Sequence, residues 1–498
     1  MSEAPNQTVR PIRHWLWWVN LALGTLALLA LAGMANYFSH RHHHRARWAE
    51  RLDNELSPLT LQVLQSVTNP VRVVVFYDRR ESLYRPVIEM LRQYEEINPH
   101  LSVESVDYER EPIKARRVQE ELHLAGTARD LVIFHANKKT QMIPHGALSG
   151  LTAAPLDKQG RGVFNRTRFN GEQMFTSALV SVSDSTKPVV YFLSENGTHP
   201  FNESTRHDDS YGKFARMLAL MNVDARPLSL SERAVPSDCE LLIVPGPGKQ
   251  LDALSLSRLH EHLAEGGRQM ILFRQNTRAG LGPFLSAWGV QVGNDEANDP
   301  GNSFEDDTYK FSKFDTDKEH GVHPAMRALH RGSLSLRMSR PRSVTDRKSS
   351  PAGGDTVRRT VLVSTGRQGL TYLRSVPGVP RSQQQVGLRG YIPVAMAVER
   401  DPPAGVEDAG VVRLVVMGDS SWLSNALYEH EGNEELSWHL VNWLLDRSHL
   451  LAIGPRPIKV YQFSLTKKNR RDLSGWLLGI VPGGVLGLGL LVWLRRRY

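Results

Sequence analysis

Few stretches of this sequence bring together residues with chemical potential. The first is Gly418-Asp419-Ser420-Ser421-Trp422, directly after an apolar run. Gly-Asp-Ser in that position opens the catalytic block of one class of esterases, with the serine as nucleophile. A serine hydroxyl needs a base beside it, and that class supplies one in a later Asp-x-x-His pair. No such pair follows Ser420. The expected reading is a strand-to-helix turn in which Asp419 or Ser420 caps the next helix. A ligand contact and hydrolysis by Ser420 are the alternatives.

The run Pro245-Gly246-Pro247-Gly248-Lys249 has the flavour of a phosphate loop. The Gly-x4-Gly-Lys-Ser/Thr spacing that cradles a nucleotide is absent, so Gly246 and Gly248 read as a tight turn. Cys239 is the chain's single cysteine. It excludes an intrachain disulfide and a cysteine metal site, and it stands where a small buried residue would. His199, His207, His320, His323 and His330 are scattered, and Arg-His-His-His-Arg at 41–45 reads as a basic linker. No catalytic set, cofactor or metal site is expected. Glu195, Asn196, His199, Gly246, Gly248, Asp419 and Ser420 remain as possible ligand or turn contacts.

The elements around these residues alternate. Residues 41–70 read as a polar helical stalk ended by Asn69-Pro70. VRVVVFYD at 71–78 and DLVIFHA at 130–136 are short apolar runs of the buried-strand kind, and Leu101–Val106 alternates. Helical spacing separates them at Arg85–Tyr94 and Arg116–Leu124. FNGEQMFTSALVSVSD closes a first α/β domain over 71–185. A second α/β domain over 186–450 opens with KPVVYFLSENG. SYGKFARMLALM, CELLIVPGPG, the helix 256–265 and RQMILFR follow, and VVRLVVMGDSSWLSN ends it with a helix carrying Leu436, Leu440, Trp443 and Leu444. Residues from about 290 to 410 read as a mixed β insertion with a polar loop at 339–355.

Two flanking segments read as transmembrane helices, one within 1–40 and one within 475–498. Trp15–Phe38 has no Asp, Glu, Lys or Arg and is long enough for a hydrocarbon core of roughly 30 Å. Gly475–Leu494 is bracketed by Trp476 and Trp493 and followed by Arg495, Arg496 and Arg497. Residues 451–474 form a linker. Basic residues flank both segments on both sides, so charge does not set the sidedness. The net charge of +9 on 498 residues is concentrated beside these segments, where lipid head groups attract it. There is no basic stripe with interleaved aromatics, which argues against a nucleic-acid partner.

The ordered set KPVVYFLSENGTHPF, LLIVPGPGKQLDALSLSRLHEHLAEGGRQMILF, GVHPAMRAL, VVMGDSSWLSN and GNEELSWHLVNWLLDR resembles the gliding-motility-type ABC transporter auxiliary component, the GldG-like family. The resemblance runs from about 70 to 497. It implies a central domain similar to a class-I glutamine amidotransferase, a fold also found in an intraflagellar-transport protein. In an active member of that fold, a cysteine would stand on an elbow after RQMILF, near Arg274, Gln275 and Asn276. None stands there. At YFLSENGTHP the family's Gly-His-Gly-Glu-like residues are replaced by a reordered Glu195, Asn196, Gly197 and His199.

The expectation is a non-catalytic, membrane-anchored auxiliary subunit of an ABC-type transport complex. Its permease and ATPase partners would be separate chains. The resemblance implies a two-pass protein of the bacterial inner membrane, its body extracytoplasmic and both termini cytoplasmic. A stand-alone ligand-binding receptor and a Ser420 hydrolase are the alternatives. Gly483, Gly484, Gly487 and Gly489 permit close helix packing in a bilayer.

Overall fold

The structure is a computed structural model. It describes residues 56–154, 163–183, 187–202, 207–304, 308–311, 316–317, 321–331, 334–347, 357–373, 384–401, 411–447 and 456–457, with scattered helical residues at 19–34 and 483–495. The chain divides into two units, Met1–Glu55 and Leu56–Tyr498. Among the described residues no helix is long and apolar enough to cross a membrane. Most of the segments at 15–38 and 475–494 lies outside the described residues, as do stalk residues 41–55 and residues 348–355 of the expected loop. The described part of that loop, 339–347, is not all loop: Val344–Asp346 is a strand paired with Val290–Val292.

The second unit is mixed α/β with several sheets. Helix α1 (Pro58–Ser66) begins with proline in its first turn, and the Ser57 hydroxyl accepts a hydrogen bond from Thr60 N at 3.1 Å. Strand β1 (Val71–Phe76), helix α2 (Tyr84–Ile97), strand β2 (Leu101–Val106), helix α3 (Pro112–Glu121), strand β3 (Leu131–Ala136) and strand β4 (Lys139–Pro144) follow. They form a sheet in the order β2-β1-β3-β4, parallel between β1 and β2 and antiparallel elsewhere. Helix α2 buries Val87, Met90, Leu91 and Tyr94, one face of a 3.6-residue period. Strand β4, with mostly half-exposed and exposed residues, is one edge, and β2 is the other. A hairpin of β5 (Ser149–Ala154) and β6 (Val163–Phe169) leads into helix α4 (Gly171–Ser183).

The central sheet begins with β7 (Val189–Leu193). Helix α5 (Gly212–Leu220), strand β8 (Asp224–Leu228), strand β9 (Cys239–Pro245), helix α6 (Ala253–Ala264) and strand β10 (Arg268–Leu272) follow. The stretch read as an insertion contributes two strands of this sheet, β11 (Val357–Ser364) and β12 (Pro393–Arg400). Strand β13 (Val412–Met417) and helix α7 (Glu431–Leu444) complete it. The seven strands lie in the order β11-β12-β13-β10-β9-β7-β8. The five from β8 to β13 are parallel, and β12 and β11 add antiparallel at one side. The other strands between 290 and 390 form small two- and three-stranded sheets.

A parallel sheet is covered on both faces, so its inner strands β7, β9, β10 and β13 are mainly apolar, while edge strand β8 is not. Their side chains alternate between two buried clusters. Val190, Phe192, Leu241, Ile243, Met270, Leu272, Val415 and Met417 face one. Tyr191, Leu193, Leu242, Val244, Ile271, Leu414 and Val416 face the other, under α6. The first cluster continues through Phe214 and Phe175 to Phe134 and Val73, joining the two sheets.

Phe192 is fully buried, stacked on Phe201 with ring centroids 4.1 Å apart and edge-on to Phe214. Phe192→Ala is expected to lower stability by about 3–5 kcal/mol, read from urea unfolding followed by tryptophan fluorescence. A loss under about 1 kcal/mol would contradict this packing.

Candidate functional site

Within the parallel set, the chain steps from β7 out to β8 and then returns to β9 on the other side. Loops at the carboxyl ends of β7 and β9 therefore part in opposite directions and leave a crevice, the usual ligand position in open α/β sheets. The loop after β7 carries Glu195, Asn196 and His199. The loop after β9 carries Gly246 and Gly248. These loops touch, since Gly248 N and Lys249 N both donate to Asn196 O at 3.0 Å. Asn196 holds a left-handed backbone with φ +52°. Both loops thus serve as turns.

A cavity of about 890 Å³ opens beside this crevice. Glu195, His199, Phe201, Asn202, Ala219 and Asp224 are among its lining residues. Its size suits a small-molecule site. Glu195 Oε1 accepts from the Ser255 hydroxyl at 2.9 Å, and Oε2 accepts from Ser229 Oγ, Ser231 N and Ser231 Oγ. Burial pulls the carboxyl upward, but these donors outweigh it and hold Glu195 below the usual carboxylate value.

Ser420, at the end of β13, meets His199 here although the two are distant in sequence. His199 Nε2 and Ser420 Oγ are 2.9 Å apart. On the far side of the ring, Nδ1 is 2.6 Å from Asp209 O and 3.0 Å from Asp209 Oδ1. Both Asp209 atoms are acceptors, so Nδ1 carries the proton. The bare Nε2 then accepts from the Ser420 hydroxyl. Burial first, and the nearby Arg274 guanidinium, hold His199 below the usual histidine value against the pull of Asp209. Arg274 Nη2 lies 3.1 Å from both ring nitrogens. Tyr211 stacks on the imidazole with centroids 4.9 Å apart, and its hydroxyl donates to Ser420 O.

Serine, neutral imidazole and carboxylate stand here in the order of an acyl-transfer relay. The hydroxyl, however, is shielded. Ser420 is 2% exposed and is not among the cavity's lining residues. Gly246, with φ +62°, lies so close that a Cβ there would stand 2.6 Å from Ser420 Oγ. The hydrogen bonds therefore tie the loop after β7 to the end of β13. Asp419 sits beside them, fully buried in its own set of bonds. It accepts from Ser421 N at 2.7 Å and Ser339 N at 2.8 Å. The expected helix cap is not formed: a three-residue 3-10 turn, Ser421–Leu423, follows, its capping residue Ser420 makes no side-chain capping bond, and α7 starts only at Glu431. Desolvation still raises its carboxyl to about 6.

The structure thus brings Glu195, Asn196, His199, Gly246, Gly248 and Ser420 to one edge, with Asp419 adjacent. Sequence reasoning missed Asp209 and Tyr211, which lie in an unremarkable polar run before α5. Arg274, noted only as the place of an absent cysteine, reaches His199. The base that Ser420 lacks downstream comes from upstream. Cys239 begins β9, where burial pushes its thiol up to about 12. Among the described residues no group of three or more His, Cys, Asp or Glu is placed to hold a metal.

Known proteins are similar only in part. A family described as Domain of unknown function (DUF7088) matches residues 54–168. No curated protein matches the chain. The mmIFT52 N-terminal domain aligns at 16% identity and TM-score 0.35, over 51% of this chain and 97% of that one. A putative ThuA-like protein from Parabacteroides merdae ATCC 43184 aligns at 12% identity and TM-score 0.26, over 50% and 91%. The exo-beta-1,4-mannosidase Op5Man5 from Opitutaceae bacterium strain TAV5 aligns at 11% identity and TM-score 0.25, over 58% and 41%.

Two outcomes test this edge. Gly246→Ala should destabilise the protein by roughly 1–3 kcal/mol through the clash and the left-handed backbone. Adding Ser420→Gly should restore part of that loss in urea unfolding; no recovery would show that the two residues do not meet. The second concerns pH. Asp419 binds its proton more tightly folded than unfolded, so its contribution is full below pH 3.8 and fades as pH rises through about 6. His199, shifted downward, acts oppositely and contributes above pH 6.5. Relative to Asp419→Asn, the unaltered protein should therefore lose stability between pH 4 and 6. Parallel stability curves for the two would contradict the assignment.

Proposed function

We propose that this protein is a non-catalytic binding subunit, anchored in a membrane by its two flanking apolar segments. It works as the auxiliary component of an ABC-type transport complex, whose permease and ATPase are separate chains. One observation carries the binding part of this reading. The cavity beside the loop after β7 is large enough for a small ligand, while the Ser420 hydroxyl, with His199 beside it, is not among its lining residues and is shielded. The transport setting is supported by the ordered sequence blocks that resemble the GldG-like family. The two-pass bacterial inner-membrane placement, with an extracytoplasmic body, rests on the same resemblance and on the apolar segments at 15–38 and 475–494.

Hydrolysis by Ser420 is the second reading, favoured by the 2.9 Å contact with His199. A serine-directed fluorophosphonate separates the two. The binding reading expects Ser420 to stay unlabelled, and labelling that disappears in Ser420→Ala would sink it.

Gentle detergent extraction should co-purify a permease and an ATPase with the full chain. Recovery of the protein alone, repeatedly, would favour a stand-alone receptor instead. Ala219 is exposed on α5 and lines the cavity, so Ala219→Trp should fill it without disturbing the core. That variant is expected to keep its partners yet lose function in the cell. Full function with a filled cavity would overturn the cavity's role.

A further inference from the structure

The chain enters and leaves the folded body at one place. At the entry, Ser57 N donates to Glu172 Oε1 at 2.6 Å, and the Thr60 hydroxyl donates to the same oxygen at 2.8 Å. At the exit, a two-residue strand β14 (Arg456–Pro457) pairs antiparallel with β6, Arg456 opposite Phe169 and Pro457 opposite Arg168. Both attachments fall within Arg168–Glu172, the junction of β6 and α4. The junction is held from a third side as well. Phe169 pairs with Ser149, and Asn170 N donates to Leu148 O at 2.9 Å.

The sequence beyond these attachments is balanced. Residues 39–55 separate the entry from the first apolar segment, and residues 458–474 separate the exit from the second. The two linkers are the same length. Basic residues stand in each, with Arg41, Arg45, Arg47 and Arg51 in one, ahead of or beside Glu50, Asp53 and Glu55, and Lys467, Lys468, Arg470 and Arg471 in the other. Basic juxtamembrane runs are attracted to anionic head groups. Two equal tethers fixed to one point draw that point toward the surface that holds their far ends.

We propose that the end of the body formed by Phe169–Glu172 and the adjoining turn His145–Leu148 faces a lipid bilayer surface. The β3–β4 turn at Asn137-Lys138 then faces away from it. This rests on the membrane-anchored reading above. Strands β3 and β4 are each six residues long, which places the two turns ~20 Å apart along the ladder.

The test uses the full chain in vesicles of phosphatidylcholine and phosphatidylglycerol that contain a lipid-borne energy-transfer acceptor. A donor dye is attached at Gly146→Cys or at Lys138→Cys. Both positions are exposed, and a side chain at Gly146 meets open space. Cys239 is half-buried with its thiol held protonated, and the unaltered chain measures any background labelling. Transfer from position 146 should exceed that from position 138 several-fold. Equal or reversed transfer, with the protein still resisting alkaline carbonate extraction, would overturn the orientation and leave the anchoring intact. Release by carbonate would overturn the anchoring, and the orientation with it.

Discussion

Four adjacent parallel strands, β13, β10, β9 and β7, apolar on both faces, impose the main constraint on this molecule. A parallel ladder cannot leave one face to water, because its crossover helices must return over the sheet. Helix α6 covers one face, and α5 covers the other. The first, smaller sheet then packs behind α5 through Phe214, Phe175 and Phe134. With both faces occupied, the strand ends are the positions left for polar chemistry. The crevice between the loops after β7 and β9 follows from the strand order, not from any one residue.

At that edge, the polar groups are arranged to stabilise one another in a poorly solvated place. Burial raises the cost of every charge, and the groups respond in different ways. His199 stays neutral and shares its two nitrogens between Asp209 and Ser420. Asp419 is surrounded by donors yet is still pushed upward. Glu195, less buried, is held ionised by three serines. Gly246 lets the backbone come within contact of Ser420. The same contacts that bring a serine and a base together also close over the hydroxyl. The open space lies beside His199 instead.

Glu172 links this core to the chain's flanks. Its carboxylate holds the start of α1, while α4 continues from it into the joint hydrophobic cluster. The exit strand β14 leans on the same junction. Entry, exit and the core that supports the crevice are parts of one packed unit.

The strong elements were legible in the sequence. VRVVVF, VVYFL, LLIVP, RQMIL and VRLVVM announce themselves because burial on both faces demands continuous apolar runs. Helix α2 shows its face at Val87, Leu91 and Tyr94. Two edge strands were not legible. Lys139–Pro144 is polar, and Asp224–Leu228 contains Pro227, which an edge tolerates. The stretch from about 290 to 410 was legible as a β insertion, but the place of two of its strands, at 357–364 and 393–400, in the central sheet was not. Gly246 and Ser420 could each be read as turn residues, since local spacing reports local geometry. That His199 meets Ser420, that Asp209 orients it and that Arg274 crowds it depended on strand order, which joins residues far apart in sequence. Residue type and period determine what each segment can become. Only the tertiary structure, by packing both faces of one sheet, decided which strand ends would meet.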